Sequence, residues 1–200
     1  MKSKMRHARS FATAAVLFFF LVGAAATLVA GADDSKTAAG EFTATASITT
    51  SQGTRSMPVR IVVTNPVSPQ QAMPLKKVLE DGGQQALLNA IRNGFRGSLR
   101  LGGMEYPLDM IVAQPTDDGI RYVAVTARPI RYDETVDEST SLDYPFGILV
   151  FDSASFGTTT GMLFTRGALS ISEEGRVQAS QHDGEPGTLK DVKRVDDIKR

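Results

Sequence analysis

The chain predicts a mainly β fold: an antiparallel sheet of about eight strands, closed as a barrel or a sandwich, with a helical insertion after the second strand. Three observations carry this expectation. Apolar and polar residues alternate with period two over most of the chain, turn signals rich in Gly, Asn and Asp recur at short intervals, and one stretch, about residues 69–93, changes to helical spacing.

The elements follow in order. Phe42, Ala44, Ala46 and Ile48 alternate with Thr43, Thr45, Ser47 and Thr49, the signature of a half-buried strand. Ser51-Gln52-Gly53 turns the chain into a second strand with Val59, Ile61 and Val63 inward. Asn65-Pro66 stops it. Ser68-Pro69-Gln70-Gln71 reads as a capped helix start, with Ser at the cap, Pro in the first turn and Gln three residues on. Leu75, Val78, Leu79, Leu87, Ala90 and Ile91 continue at helical spacing, with Pro74 near the start and Gly82-Gly83 expected to divide the segment in two. Asn93-Gly94 ends it as a C-cap.

From Phe95 the pattern returns to strands. Leu99 and Leu101 lead into a Gly102-Gly103 hairpin, and Tyr106, Leu108, Met110 and Val112 fall on one face of the next strand. Asp117-Asp118-Gly119 turns into the strand of Tyr122. Residues 131–144 are polar and acidic, hence a long loop. Phe146–Phe151 is apolar on both faces, as a central or doubly covered strand requires. Met162–Ile171 is a longer strand with a bulge expected at Arg166-Gly167. In the tail, Leu189, Val192, Val195 and Ile198 recur every three residues, a spacing compatible with a helix, a short strand or neither. The predicted helices are expected to pack over an open end or edge of the sheet.

The beginning of the chain reads as an export signal. Lys2, Lys4, Arg6 and Arg9 precede an apolar run to Ala30, then Ala30-Gly31-Ala32 offers a small-x-small cleavage site before Asp33-Asp34. Residues 1–32 are therefore expected to be a cleaved signal peptide. The alternative is an uncleaved anchor, because Ala14–Ala30 approaches the length of a spanning helix. Residues 33–40 read as a flexible lead-in, and 41–200 as one β-rich domain of periplasmic or secreted location. Four of the 22 basic residues and none of the 22 acidic ones precede residue 33, so the remainder carries a formal charge of −4. That balance argues against nucleic-acid binding, which depends on a basic surface. The chain has no Cys, so disulfides, thiol catalysis and lipid attachment at cysteine are excluded.

Chemistry is sparse. No nucleophile elbow, zinc-protease helix, phosphate loop or dinucleotide turn is present, and nothing calls for a cofactor. His182 is the sole His after residue 32, so a multi-histidine metal site is impossible there, and a Ser-His-Asp triad would have to use it. Beside Asp183 in a loop, it reads more simply as an exposed histidine. Asp133, Glu134, Asp137, Glu138 and Asp143 crowd one loop, yet their spacing matches no calcium loop, and a solvated acidic loop accounts for them. Arg60, Arg100 and Arg121 fall on the polar phases of their strands. On a shared sheet they would form an anion-binding patch with Asp109 as a partner; ordinary solvent-facing arginines are the simpler reading. Tyr106, Tyr122 and Tyr132 could line a ligand mouth or simply pack. Asp152 could be a catalytic carboxylate or the opening of a turn.

Phe42-Thr-Ala-Thr-Ala46, Met57-Pro-Val-Arg-Ile-Val-Val63, Gly82-Gly-Gln-Gln-Ala-Leu87, Thr126-Ala-Arg-Pro-Ile130 and Tyr144-Pro-Phe-Gly-Ile148 resemble segments of a family of exported bacterial proteins with no assigned activity. The resemblance implies a single exported domain and carries no substrate or site residues with it. The expectation is a non-enzymatic domain that binds a small ligand or an envelope component, touching the membrane only through its N-terminal signal or anchor. The alternatives are a carboxylate-based hydrolase acting on envelope polysaccharide and a structural or assembly protein.

Overall fold

The computed structural model describes residues 38–50, 53–131, 141–154, 158–182 and 184–195. The export signal, most of the lead-in, Tyr132, Asp183 and the acidic residues Asp133–Glu138 lie outside the described residues. Among those described, no helix is long and apolar enough to cross a membrane.

β1 (Gly40–Thr50) and β2 (Gly53–Val63) pair along their whole length, from Gly40 against Val63 to Thr50 against Gly53; Ser51 and Gln52 of the expected turn lie outside the described residues. Phe42, Ala44, Ala46 and Ile48 of β1, with Val59, Ile61 and Val63 of β2, all point inward and are buried. Ala38, just before β1, is also buried in the core. Its carbonyl accepts from Tyr122 Oη at 2.8 Å, and the Ala39 carbonyl accepts from the Arg194 guanidinium.

The helix α1 (Pro69–Ile91) starts as its sequence predicts. Ser68 Oγ accepts from the Gln71 amide while Gln71 Oε1 accepts from the Ser68 amide, so two otherwise orphaned donors are satisfied reciprocally. Pro74 is accommodated within the helix, and the break falls at Gly83, whose φ of 65° and ψ of −164° only glycine adopts freely. The break places Gln84 so that its side-chain amide bonds both the N–H and the C=O of Leu169.

The strands after the helix are β3 (Gly97–Leu101), β4 (Met104–Leu108), β5 (Met110–Thr116), β6 (Gly119–Thr126), β7 (Phe146–Ala154), β8 (Thr159–Ile171), β9 (Val177–Gln181) and β10 (Gly187–Arg194). Their order is β4-β3-β2-β1-β10-β8-β7-β6-β5, antiparallel throughout and nearly closed as a barrel, with β9 added on β8. The two ends of this path, β4 and β5, are consecutive in the chain and separated by Asp109 alone. One bent pass, 104–116, therefore closes the barrel by pairing with β3 in its first half and β6 in its second.

That bend corrects the strand expected to carry Tyr106, Leu108, Met110 and Val112 on one face. Tyr106 and Leu108 enter the barrel, whereas Met110 and Val112 join an outer core under the helix. The corner at Asp109 exchanges the faces, which an uninterrupted period of two cannot do.

Two cores result. The inner one fills the barrel, with Phe42, Tyr122 and Phe151 at its centre and aliphatic residues of nine strands, all but β9, around them. The outer one lies between α1 and the outer face of β5–β8, and includes Ala72, Leu87, Leu88, Ile91, Val112, Val123, Phe146, Ile148 and Phe164. The helix thus covers a sheet face, where the sequence reading placed it over an end or edge. The reason is in the strands: β6 and β7 are apolar on both sides, so their outer sides need a cover that an end-on helix cannot supply. By contrast, β1–β3 keep a polar outer face.

Two bulges adjust the register. One falls in β8 between Phe164 and Gly167, close to the predicted site. The other is in β10, where Asp191 takes φ 53° and register shifts against both neighbours. It lets Leu189 and Val192 both face the barrel, so their three-residue spacing marks a bulged strand rather than a helix.

Candidate functional site

The three arginines do not form one patch. Arg60 and Arg100 are direct cross-strand neighbours on β2 and β3, with Glu105 of β4 next in the same row. Arg121 lies on β6, across the strand order from them, paired in register with Asp152 of β7. Arg60 is held by Glu41 through two parallel bonds of 2.8 and 3.0 Å, and Arg121 by Asp152 through bonds of 2.7 and 3.0 Å. The bond to its carboxylate raises each guanidinium above its ordinary pKa, first through the hydrogen bond and then, for Arg60, through charge attraction. Bidentate pairing occupies the fork that an anion would use. Asp152 is thus an ion-pair partner.

Asp109, expected beside these arginines, faces the interior instead and is 7% exposed. Its Oδ1 accepts from the Asn93 amide at 2.9 Å and its Oδ2 from the Ala127 amide at 2.8 Å.

The tyrosines pack. Tyr106 Oη donates to the Arg131 carbonyl at 2.7 Å and accepts from the Arg131 amide at 2.9 Å, while Arg128 lies 4.9 Å above its ring. This stitches β4 to the chain leaving β6, across the barrel seam. Tyr122 is fully buried, and its burial pushes the hydroxyl up to about 12, with the charge of Arg194 acting the other way. A neutral Tyr122 stabilises the fold, so its contribution is complete below pH 10, the ordinary tyrosine value, and is lost as pH rises through 12. Absorbance at 295 nm should therefore show one tyrosine titrating near pH 12 together with loss of near-UV circular dichroism. Tyr122→Phe should remove that step; its persistence in the variant would refute the assignment.

His182 is exposed, with its ring stacked on Tyr144 at 4.6 Å and 24° and its amide donating to the Arg166 carbonyl. Among the described residues, no group of three or more His, Asp or Glu is placed to hold a metal ion.

The structure does gather one constellation that the sequence reading missed, at the turn 93–96 between α1 and β3. Asn93 has φ 66° and Phe95 φ 46°. Asparagine tolerates the left-handed region; a bulky aromatic there is strained. The backbone on either side is tied down. Asn93 is bonded to Asp109, and the Gly94 amide donates to the Ile91 carbonyl. A Cβ at Gly94 would lie 2.0 Å from the Asp109 carbonyl oxygen, so only glycine fits. The Arg96 amide donates to the Leu108 carbonyl, and the Arg96 carbonyl accepts from the Thr64 and Asn65 amides and from Thr64 Oγ1. The product is a rigid knuckle that holds the Phe95 side chain in solvent, 68% exposed. The signal in the sequence was an aromatic residue directly after a helix-stopping Asn-Gly pair.

Comparison with protein-family models, curated proteins and solved structures yields no match.

Proposed function

We propose that this is an exported, non-enzymatic interaction module of the periplasm or cell envelope, and that it works through its surface. The filled barrel carries the reading. Phe42, Tyr122 and Phe151 pack against one another at centroid distances of 4.9–5.3 Å, in the volume where a barrel of this kind would hold a ligand. That packing favours an envelope component over a small ligand as the partner. Asp109 and Asp152 are occupied by backbone amides and by Arg121, which takes both out of the acid–base pair that a hydrolase would need. The export signal read from residues 1–32 supports the location.

Native mass spectrometry on protein purified from its own envelope fraction after mild chemical cross-linking tests this. A stoichiometric complex with another polypeptide is expected. A small-molecule adduct would favour a carrier, and a bare chain would overturn the interaction reading.

A further inference from the structure

We propose that Phe95 is the anchor by which this domain seats on a folded partner protein, inserting its ring into an apolar pocket rimmed by carboxylates. The inference rests on the interaction reading above and names its contact. Among the described residues Phe95 is one of four exposed large apolar side chains, with Met73, Leu142 and Met162, and it alone of the four has positive φ. At 68% exposed its side chain buries little within the domain, and its backbone is strained, so the folded chain gains little from a phenylalanine here. Glycine or asparagine would fit the turn better. Strain at an exposed aromatic, enforced by hydrogen bonds on both sides, is the mark of a residue kept for contact. Rigid, pre-positioned aromatics are also the side chains that dominate protein interfaces, since little freedom is lost when they dock.

The surrounding charge identifies the rim. Arg92 and Arg96 flank Phe95 in the chain. Arg92 and Arg96 have no carboxylate partner among the described residues, whereas Arg60 and Arg121 are fully forked onto theirs. The carboxylate that is close, Asp109, is buried and spent on the two amides. The knuckle therefore presents an apolar tip in a basic collar, complementary to an apolar pocket with an acidic rim. One rigid ring suits a pocket better than a membrane surface, which is bound through a broad amphipathic face.

The test uses the full chain carrying the photo-reactive benzoyl-phenylalanine at position 95 in its native host, with the same group at Gln178 or Thr188 as controls. The expected result is one protein cross-linked from position 95, identified by mass spectrometry. Its binding, measured with purified components, should weaken about tenfold or more for Phe95→Gly. It should weaken also for Arg92→Glu, and fall as salt rises. The melting temperature of Phe95→Gly should equal or exceed that of the parent chain, because glycine accepts this φ without strain. A structural role for Phe95 would instead lower it, and that result overturns the proposal, as does unchanged binding. Protein captured only from 178 or 188 overturns the anchor while leaving the interaction reading intact. Capture from no position overturns both. Cross-linking to phospholipid from position 95 overturns the protein partner in favour of a membrane surface.

Discussion

Replacing Asp109 should cost about 3–5 kcal/mol of unfolding free energy, and Asn should be nearly as damaging as Ala. The carboxylate is almost fully buried, and each oxygen accepts from a different backbone amide, Asn93 after the helix and Ala127 after β6. A hydrogen bond to a charged acceptor contributes about 1.5–3 kcal/mol, and a buried amide left unpaired pays its desolvation in full. Alanine orphans both amides. Asparagine keeps one acceptor and turns an NH2 donor toward the other amide, which replaces attraction by repulsion. The Asp109 amide also donates to the Val125 carbonyl at 2.8 Å, so the same residue closes the barrel between β4 and β6. Urea unfolding of D109A and D109N should give midpoints far below the parent with similar slopes. Hydrogen exchange should show protection lost first at Asn93 and Ala127. A loss under about 1 kcal/mol in both variants would mean that the corner is held by packing alone.

Asp109 also shows where sequence reading stops. Local rules found what is locally encoded. The capping box at Ser68 and Gln71, the break at Gly82-Gly83, the Asn-Gly helix stop and the hairpin turns at Gly102-Gly103 and Asp117–Gly119 are each specified by residues within a few positions, and each stands as expected. The doubly apolar Phe146–Phe151 strand was legible for the same reason, and it is the strand flanked by β6 and β8 under the helix. The face exchange at Asp109 was not legible, because the alternation Tyr106, Leu108, Met110, Val112 continues smoothly through the corner. Only the separate pairing of β4 with β3 and β5 with β6 reveals it.

The candidate site divides along the same line. All three arginines sit on the solvent phase of their strands, as their alternation implied. Their partners could not be read, since Glu41 lies 19 residues from Arg60 and Asp152 31 residues from Arg121, and both meet them only through strand pairing. Phe95 was read as the start of a strand region because its backbone conformation depends on amides and carbonyls from β2, β4 and the Asp109 corner. The Asn93-Gly94 pair before it marks the turn, but a strain imposed from three distant segments cannot be read from that pair alone.

The barrel interior yields the other large effect. Phe42→Ala should cost about 3–5 kcal/mol and should create a binding site where the parent chain has none. The Phe42 ring sits edge-on to Phe151 at 5.2 Å and tilted against Tyr122 at 5.3 Å, while those two stack at 4.9 Å. The Arg194 guanidinium lies 5.8 Å over the Phe42 ring. Truncation removes the transfer energy of the ring and its aromatic contacts together. The neighbours are strand residues whose main chains are fixed by the ladders on both sides, so they collapse poorly into the gap. An apolar cavity of that kind stays dry and takes up benzene or xenon. Thermal unfolding with and without benzene separates the possibilities. Benzene should raise the melting temperature of F42A by mass action and leave the parent unmoved. A parent chain stabilised by benzene would show that its barrel already holds room for a ligand, and the carrier reading would then displace the surface one. A parent indifferent to benzene, beside a variant that binds it, makes the aromatic cluster the occupant of the barrel and leaves recognition to the outside of the domain.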